Sequence, residues 1–175
     1  MNRQKRIIRN VIIIVIFYLF VTRFFGLFLN PISAFEYAER DNHYGPSKIV
    51  HTENYGKAKY ILGKYDKWIS YSKVSRFLFY WTSFNPIMIE IQKDKAISYY
   101  WVGSDRFYEV FGIVNDKRIT KVEITLADGN TLVQNEFYDG DLFLFLFDPK
   151  NEKFKEYLYI RGYDSESKIL FEVKF

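Results

Sequence analysis

Hydrophobic positions along the chain change their pattern once. From Ile7 to Leu29 they run almost unbroken, and from Ser47 onward they recur in short runs, several with a period of two. The first pattern predicts one long helix. Val11–Val21 contains only valine, isoleucine, phenylalanine, leucine and one tyrosine. Residues 7–29 make about 34 Å of helix at ~1.5 Å per residue. A hydrocarbon core of ~30 Å needs about 20 residues, so the segment is long enough to span it with some tilt. A helix also satisfies its own backbone polar groups, as lipid requires. Arg9 and Asn10 lie near the start of the run. Arg23 is six residues from its end, about 9 Å along the axis, within the reach of a snorkelling arginine.

The second pattern predicts strands. A capping box at Ser33-Ala34-Phe35-Glu36 first predicts a short amphipathic helix over about 34–41, closed by the turn residues His43-Tyr44-Gly45-Pro46. Apolar runs follow at 48–52, 57–62, 67–74, 76–84, 87–91, 96–102 and 107–114. The run 76–84 is dense in aromatics and fits either a strand or a buried helix turn, which periodicity does not separate. In 119–137, Val122, Ile124 and Leu126 alternate with Lys121, Glu123 and Thr125. Asp128-Gly129 then offers a tight hairpin turn. Leu142–Phe147 is apolar on both faces, which predicts a central strand. Asp148-Pro149-Lys150-Asn151 reads as a turn. In the last run Ile169, Phe171, Val173 and Phe175 share one face. About nine or ten strands with short turns give a mainly β fold: an N-terminal transmembrane helix, a short amphipathic helix, then an antiparallel sandwich or barrel-like domain. The expected organisation is a basic tail over 1–6, a signal-anchor helix over 7–29 and one β-rich domain over 30–175, with no linker dividing it.

Charge sets the expected orientation. Arg3, Lys5, Arg6 and Arg9 precede the span with no acid among them, and the next basic residue after it is Arg40. The positive-inside rule then places the N-terminus in the cytoplasm and residues 30–175 outside. A cleaved secretory signal is the competing expectation. Signal peptidase favours small residues one and three positions before the cut. Cutting after Ala34 puts Ile32 at the second of these positions, and cutting after Ala38 puts Glu36 there. The uncleaved anchor fits better. A chain without cysteine carries no lipoprotein anchor.

Composition changes this picture in one respect. The net charge of +4 suggests a basic protein. Residues 1–29 hold five basic residues and no acid, so the chain's 25 basic residues leave 20 beyond the span, against 21 acidic ones. The basicity is a topology signal, and nucleic-acid binding is excluded on that ground. The absence of cysteine removes disulfides and thiolate metal sites. Aromatic content of 21% argues against disorder.

Candidate chemistry is sparse. His43 and His51 lack a third ligand. Asp139-Gly140-Asp141 and Asp164-Ser165-Glu166 bring acids together without the full twelve-residue calcium loop. No phosphate loop, dinucleotide fingerprint or serine-nucleophile elbow is present, and no cofactor is called for. Most rings of Trp68, Trp81, Trp101 and the tyrosines belong in a core. Tyr99-Tyr100-Trp101 is the best candidate for an exposed ligand-binding patch, because adjacent strand residues face opposite sides.

The segments Phe111-Gly112-Ile113-Val114-Asn115-Asp116-Lys117-Arg118-Ile119 through Ile124, and Ile160-Arg161-Gly162-Tyr163-Asp164, resemble a broad group of membrane-anchored proteins of Bacillus-like Gram-positive bacteria. These have an extracytoplasmic β domain and no assigned activity. Lys168 stands where a glycine often completes the last turn in that group. The resemblance implies location and fold type, and no catalytic residue. The expected function is therefore a single-pass protein of the cell membrane with a non-catalytic interaction module. Its partners would be the bilayer through residues 7–29 and an envelope protein or wall polymer. The alternatives are a membrane-tethered hydrolase with paired carboxylates 5 to 10 Å apart and a secreted binding protein.

Overall fold

The computed structural model describes residues 3–83, 85–104, 107–126, 129–147 and 157–174. The fold is mainly β, with an apolar N-terminal helix and several antiparallel sheets. The chain divides into two compact units: residues 1–63 with 70–87, and residues 64–69 with 88–175. It crosses between them inside a hairpin, at Gly63/Lys64 and Ile69/Ser70, so no linker marks the division.

In the first unit, helix α1 runs Arg3–Phe25. It is long and apolar enough to cross a membrane, and its apolar side chains are exposed all round apart from Val21. The expected span reaches Leu29, but the helix stops four residues earlier. Gly26 adopts φ +59°, the left-handed conformation that suits glycine at a helix end. Phe28 then pairs with Trp81 through two backbone bonds of 2.8 and 2.6 Å. Thr22 Oγ1 donates to the Leu19 carbonyl at 3.0 Å, which satisfies a hydroxyl on an apolar helix.

Helix α2 runs Pro31–Asp41. Its N-cap is Asn30, whose side chain accepts from Ile32 N at 2.9 Å, with Pro31 at the first helical position. The Ser33–Glu36 capping box is therefore inside the helix. Asn30-Pro31 is a sufficient start signal, because proline's fixed φ is pre-set for a first turn.

Strands β1 (Lys48–Tyr55), β2 (Ala58–Tyr65), β3 (Trp68–Phe77) and β4 (Tyr80–Ser83) form one sheet in that order. Over its described residues, 76–83, the aromatic run is neither one strand nor a helix turn but the tip of the β3–β4 hairpin, with Leu78 at φ +55° and Arg76 paired to Trp81. Ala34, Phe35, Ile61 and Val74 form one core cluster of this unit, with Phe28, Ile32, Ile49 and Trp81 packed on it, and Tyr60, Leu62 and Tyr71 are buried as well.

The second unit is a sandwich. Strand β5 (Ile87–Glu90) pairs β3, and Ile91 N donates to Lys67 O at 2.8 Å. Strands β6 (Ile97–Ser104), β7 (Phe107–Val114) and β10 (Leu142–Phe147) form one sheet in the order β10-β7-β6. Strands β8 (Lys121–Leu126), β9 (Thr131–Gln134), β11 (Tyr157–Tyr163) and β12 (Ile169–Lys174) form another in the order β12-β11-β8-β9. Ile97, Val110, Phe143 and Phe145 of the first meet Val122, Ile124, Leu126 and Ile160 of the second in one core. The predicted alternation of β8 is borne out: Val122, Ile124 and Leu126 are buried.

Two details depart from expectation. Strand β10 lies at the edge of its sheet, and β7 is central. β10 is apolar on both faces because both are covered, and the Leu144 N–H on its outer edge donates to Gln134 Oε1 at 3.1 Å in place of a neighbouring strand. Ile169 is 47% exposed. A bulge pairs Gly162 with Phe171 and Tyr163 with Ile169, so Leu170 is the extra residue and the alternation slips. Phe175 lies outside the described residues, as do Asp128 and the turn at 148–151.

Central strand β7 admits no bulk at Gly112. A Cβ there would sit 2.3 Å from Ser98 O and 2.7 Å from Phe143 Cζ. Glycine is thus required by packing.

A groove beside an edge strand

Strand β6 pairs only with β7, so its other edge is open. Among the described residues no backbone bond joins Ile97–Trp101 to any strand but β7. Along that edge lies a groove of about 460 Å³, walled on one side by Ile89, Glu90 and Gln92 and on the other by Ile97–Trp101. All of these belong to the second unit.

A polar knot closes one end. The buried Ser98 hydroxyl accepts from Gln92 N at 3.0 Å and lies 2.9 Å from Asn115 Nδ2. The same Asn115 nitrogen reaches the carbonyls of Gln92 at 3.0 Å and Lys95 at 2.9 Å. One amide and one hydroxyl so fix the 92–95 loop against the start of β6. At the rim, Lys67 Nζ sits 2.7 Å from Glu90 Oε1. That hydrogen bond, with the carboxylate charge behind it, raises the Lys67 pKa above its ordinary value.

The three candidate rings all line this groove, in different roles. Tyr99 is half-buried and meets Phe171 edge-on at 6.3 Å, and burial raises its phenol pKa. Tyr100 is 46% exposed and Trp101 44%. Trp101 stacks on Tyr108 at 6.5 Å, and Tyr108 stacks on Phe147 at 5.4 Å. This cross-strand row holds the indole in one orientation while its outer part stays open. Gly103 leaves it room, since a Cβ there would lie 2.3 Å from Trp101 Cζ3.

Other candidate chemistry resolves into structural pairs. Asp141 pairs with Lys64 at 3.0 Å and with Lys117 at 3.7 Å. Asp164 Oδ1 accepts from the amides of Glu166 and Lys168, both at 2.9 Å, which closes the last turn without a glycine at Lys168. His51 lies 3.6 Å from Glu53, and His43 is exposed at φ +57°. Among the described residues no three potential metal ligands cluster. On the outer face of β8-β11-β12, Arg161 pairs with Glu172 at 2.6 Å and Tyr163 donates to Glu123 at 2.9 Å. Burial, then the Glu123 bond, raises the Tyr163 pKa.

Sequence reasoning missed two features of the first unit. Glu39 on α2 is fully buried, and its Oε2 accepts from Ser47 N at 3.0 Å. The β3–β4 tip exposes Phe77, Leu78 and Phe79 at 62, 72 and 59%.

Comparison with protein-family models, curated proteins and solved structures finds no match. Function is therefore argued from geometry.

Proposed function

We propose that this is a single-pass membrane protein whose β-rich region is a non-catalytic interaction module at the cell envelope. Helix α1 is the span, with Arg3, Lys5, Arg6 and Arg9 holding the N-terminus in the cytoplasm and residues 30–175 outside. The groove takes an extended segment of an envelope protein as an added strand on β6. The observation that carries this is the open edge of β6 inside a groove with Tyr100 and Trp101 exposed beside it. Strand addition draws affinity from main-chain bonds and specificity from alternate side-chain pockets. An open edge otherwise invites aggregation, which a cognate strand would prevent. The groove carries one carboxylate, Glu90, already bonded to Lys67. Paired-carboxylate hydrolysis draws no support from it.

The test uses full-length protein in lipid nanodiscs against a library of extended peptides. Peptides with alternating apolar residues are expected to bind. N-methylation of their alternate amides should abolish binding, and Trp101→Ala should weaken it about thirtyfold, since an anchoring tryptophan is worth roughly 2 kcal/mol. Binding insensitive to both changes, or a soluble wall-glycan fragment bound in place of any peptide, would overturn the strand-addition reading. N-terminal sequencing of mature protein checks the anchor, with residues 1–29 expected to be retained.

A further inference from the structure

The first unit contains a second groove, of about 770 Å³, between the C-terminal half of α1 and helix α2. Its wall is apolar, formed by Ile16, Leu19, Phe20 and Phe28. Arg23 and Arg40 also line it. Tyr37 of α2 packs against the link that joins the two helices. Its ring lies 5.1 Å from that of Phe28, and a Cβ on Gly26 would sit 3.6 Å from its Cε1. Arg23 on α1 and Arg40 on α2 border one groove together with Ile16 and Leu19.

Neither arginine has an acidic partner among the described residues. Asp41 shares the groove but does not pair with either. Two guanidiniums facing one groove repel unless an anion stands between them. A guanidinium offers a planar fork that matches phosphate oxygens. In the same groove, on a helix long enough to span a bilayer, lies an apolar wall suited to an acyl chain.

From this juxtaposition we propose that the first unit binds one anionic phospholipid. Arg23 and Arg40 clamp its phosphate, and the Ile16–Leu19–Phe20 face of α1 takes a chain. The site rests on the reading of α1 as a membrane span. It gives Arg23 a role beyond tolerance: the charge marks headgroup depth and joins the span to α2 through a shared ligand.

The experiment is native mass spectrometry of full-length protein extracted from bilayers of equal phosphatidylglycerol and phosphatidylcholine. Wild type is expected to retain phosphatidylglycerol over phosphatidylcholine. The double variant R23Q/R40Q should lose that retention about tenfold, about 1.4 kcal/mol. R23K/R40K should keep part of it, since lysine keeps charge but loses the fork. Equal retention of the two lipids by wild type, or unchanged retention in R23Q/R40Q, overturns the site. Alkaline carbonate extraction separates the two ways of failing. Wild type released by carbonate removes both the span and the site. Wild type held in the membrane without retained phosphatidylglycerol removes the site alone.

Discussion

The two units use the same materials and dispose of their apolar residues differently. The second turns them inward, between two sheets that share one core of isoleucine, valine and phenylalanine. The first also buries a core, with Phe35 in one of its clusters, but leaves large apolar surfaces outside, on α1 and at Phe77-Leu78-Phe79. An exposed apolar surface of that extent marks contact with a membrane or a partner. The difference teaches where to look for each kind of partner. The first unit exposes an apolar helix of membrane-spanning length, and the second holds a groove and an open strand edge against a packed core.

Four changes sharpen or break this comparison. The largest effect is expected from Phe35→Ala. Phe35 is fully buried in one of that unit's core clusters, and loss of a buried phenylalanine costs about 3–5 kcal/mol. Chemical denaturation should show that loss, with hydrogen exchange accelerated in α2 and β2. An effect below about 1 kcal/mol, well under that range, would mean that this cluster does not hold the unit. Next is Val15→Asp at the middle of α1. A central charge costs about 2.5–3.5 kcal/mol on insertion scales, so less protein should fractionate with membranes. Unchanged fractionation counts against a spanning helix.

Ser98→Ala is a smaller and more local break. It removes the hydroxyl that accepts from Gln92 N and contacts Asn115. Leaving such buried partners unpaired costs roughly 1–3 kcal/mol. The expected outcome is faster exchange at the Gln92 amide and weaker peptide binding. Unaltered exchange there would remove the loop from the groove's construction.

The smallest effect is acid loosening of the turn after β7. The Arg118 side chain, then its backbone N–H, holds the Asp116 carboxyl down to about 2 from an ordinary 3.8. A depressed folded pKa contributes stability that is present above 3.8 and lost as pH falls through about 2. Asp116 and its partner are exposed, so the change stays local. An NMR titration of the Asp116 carboxyl carbon should show this midpoint, and a midpoint near 3.8 would remove the pair from the account.

What was legible in sequence follows from where one physical rule acts alone. The β8 alternation stood out because one face is solvent and the other is core. The apolar run of α1 stood out because it is unbroken and long enough to cross a membrane. Rules in competition were read less well. Asn30-Pro31 reads as a stop after the span, but it is the start of α2, and the Ser33 box masked it. Leu142–Phe147 looked central because both its faces are buried, yet a Gln134 side chain replaces the missing neighbour strand. Leu78 is an unusual turn residue, so the run 76–84 looked continuous. Tyr99-Tyr100-Trp101 was singled out because adjacent strand residues face opposite sides. The groove was not, because Ile89, Gln92 and Asn115 become neighbours only through folding. The division into units left no mark, because the chain crosses it in mid-hairpin.

The most direct test of the central claim, an anchored module outside the membrane, is protease treatment of intact cells carrying a C-terminal tag, beside a lysed control. The account predicts that the tag is lost from intact cells while untreated full-length protein is in the membrane fraction. Protection of the tag in intact cells, with loss only after lysis, would put residues 30–175 in the cytoplasm and contradict it.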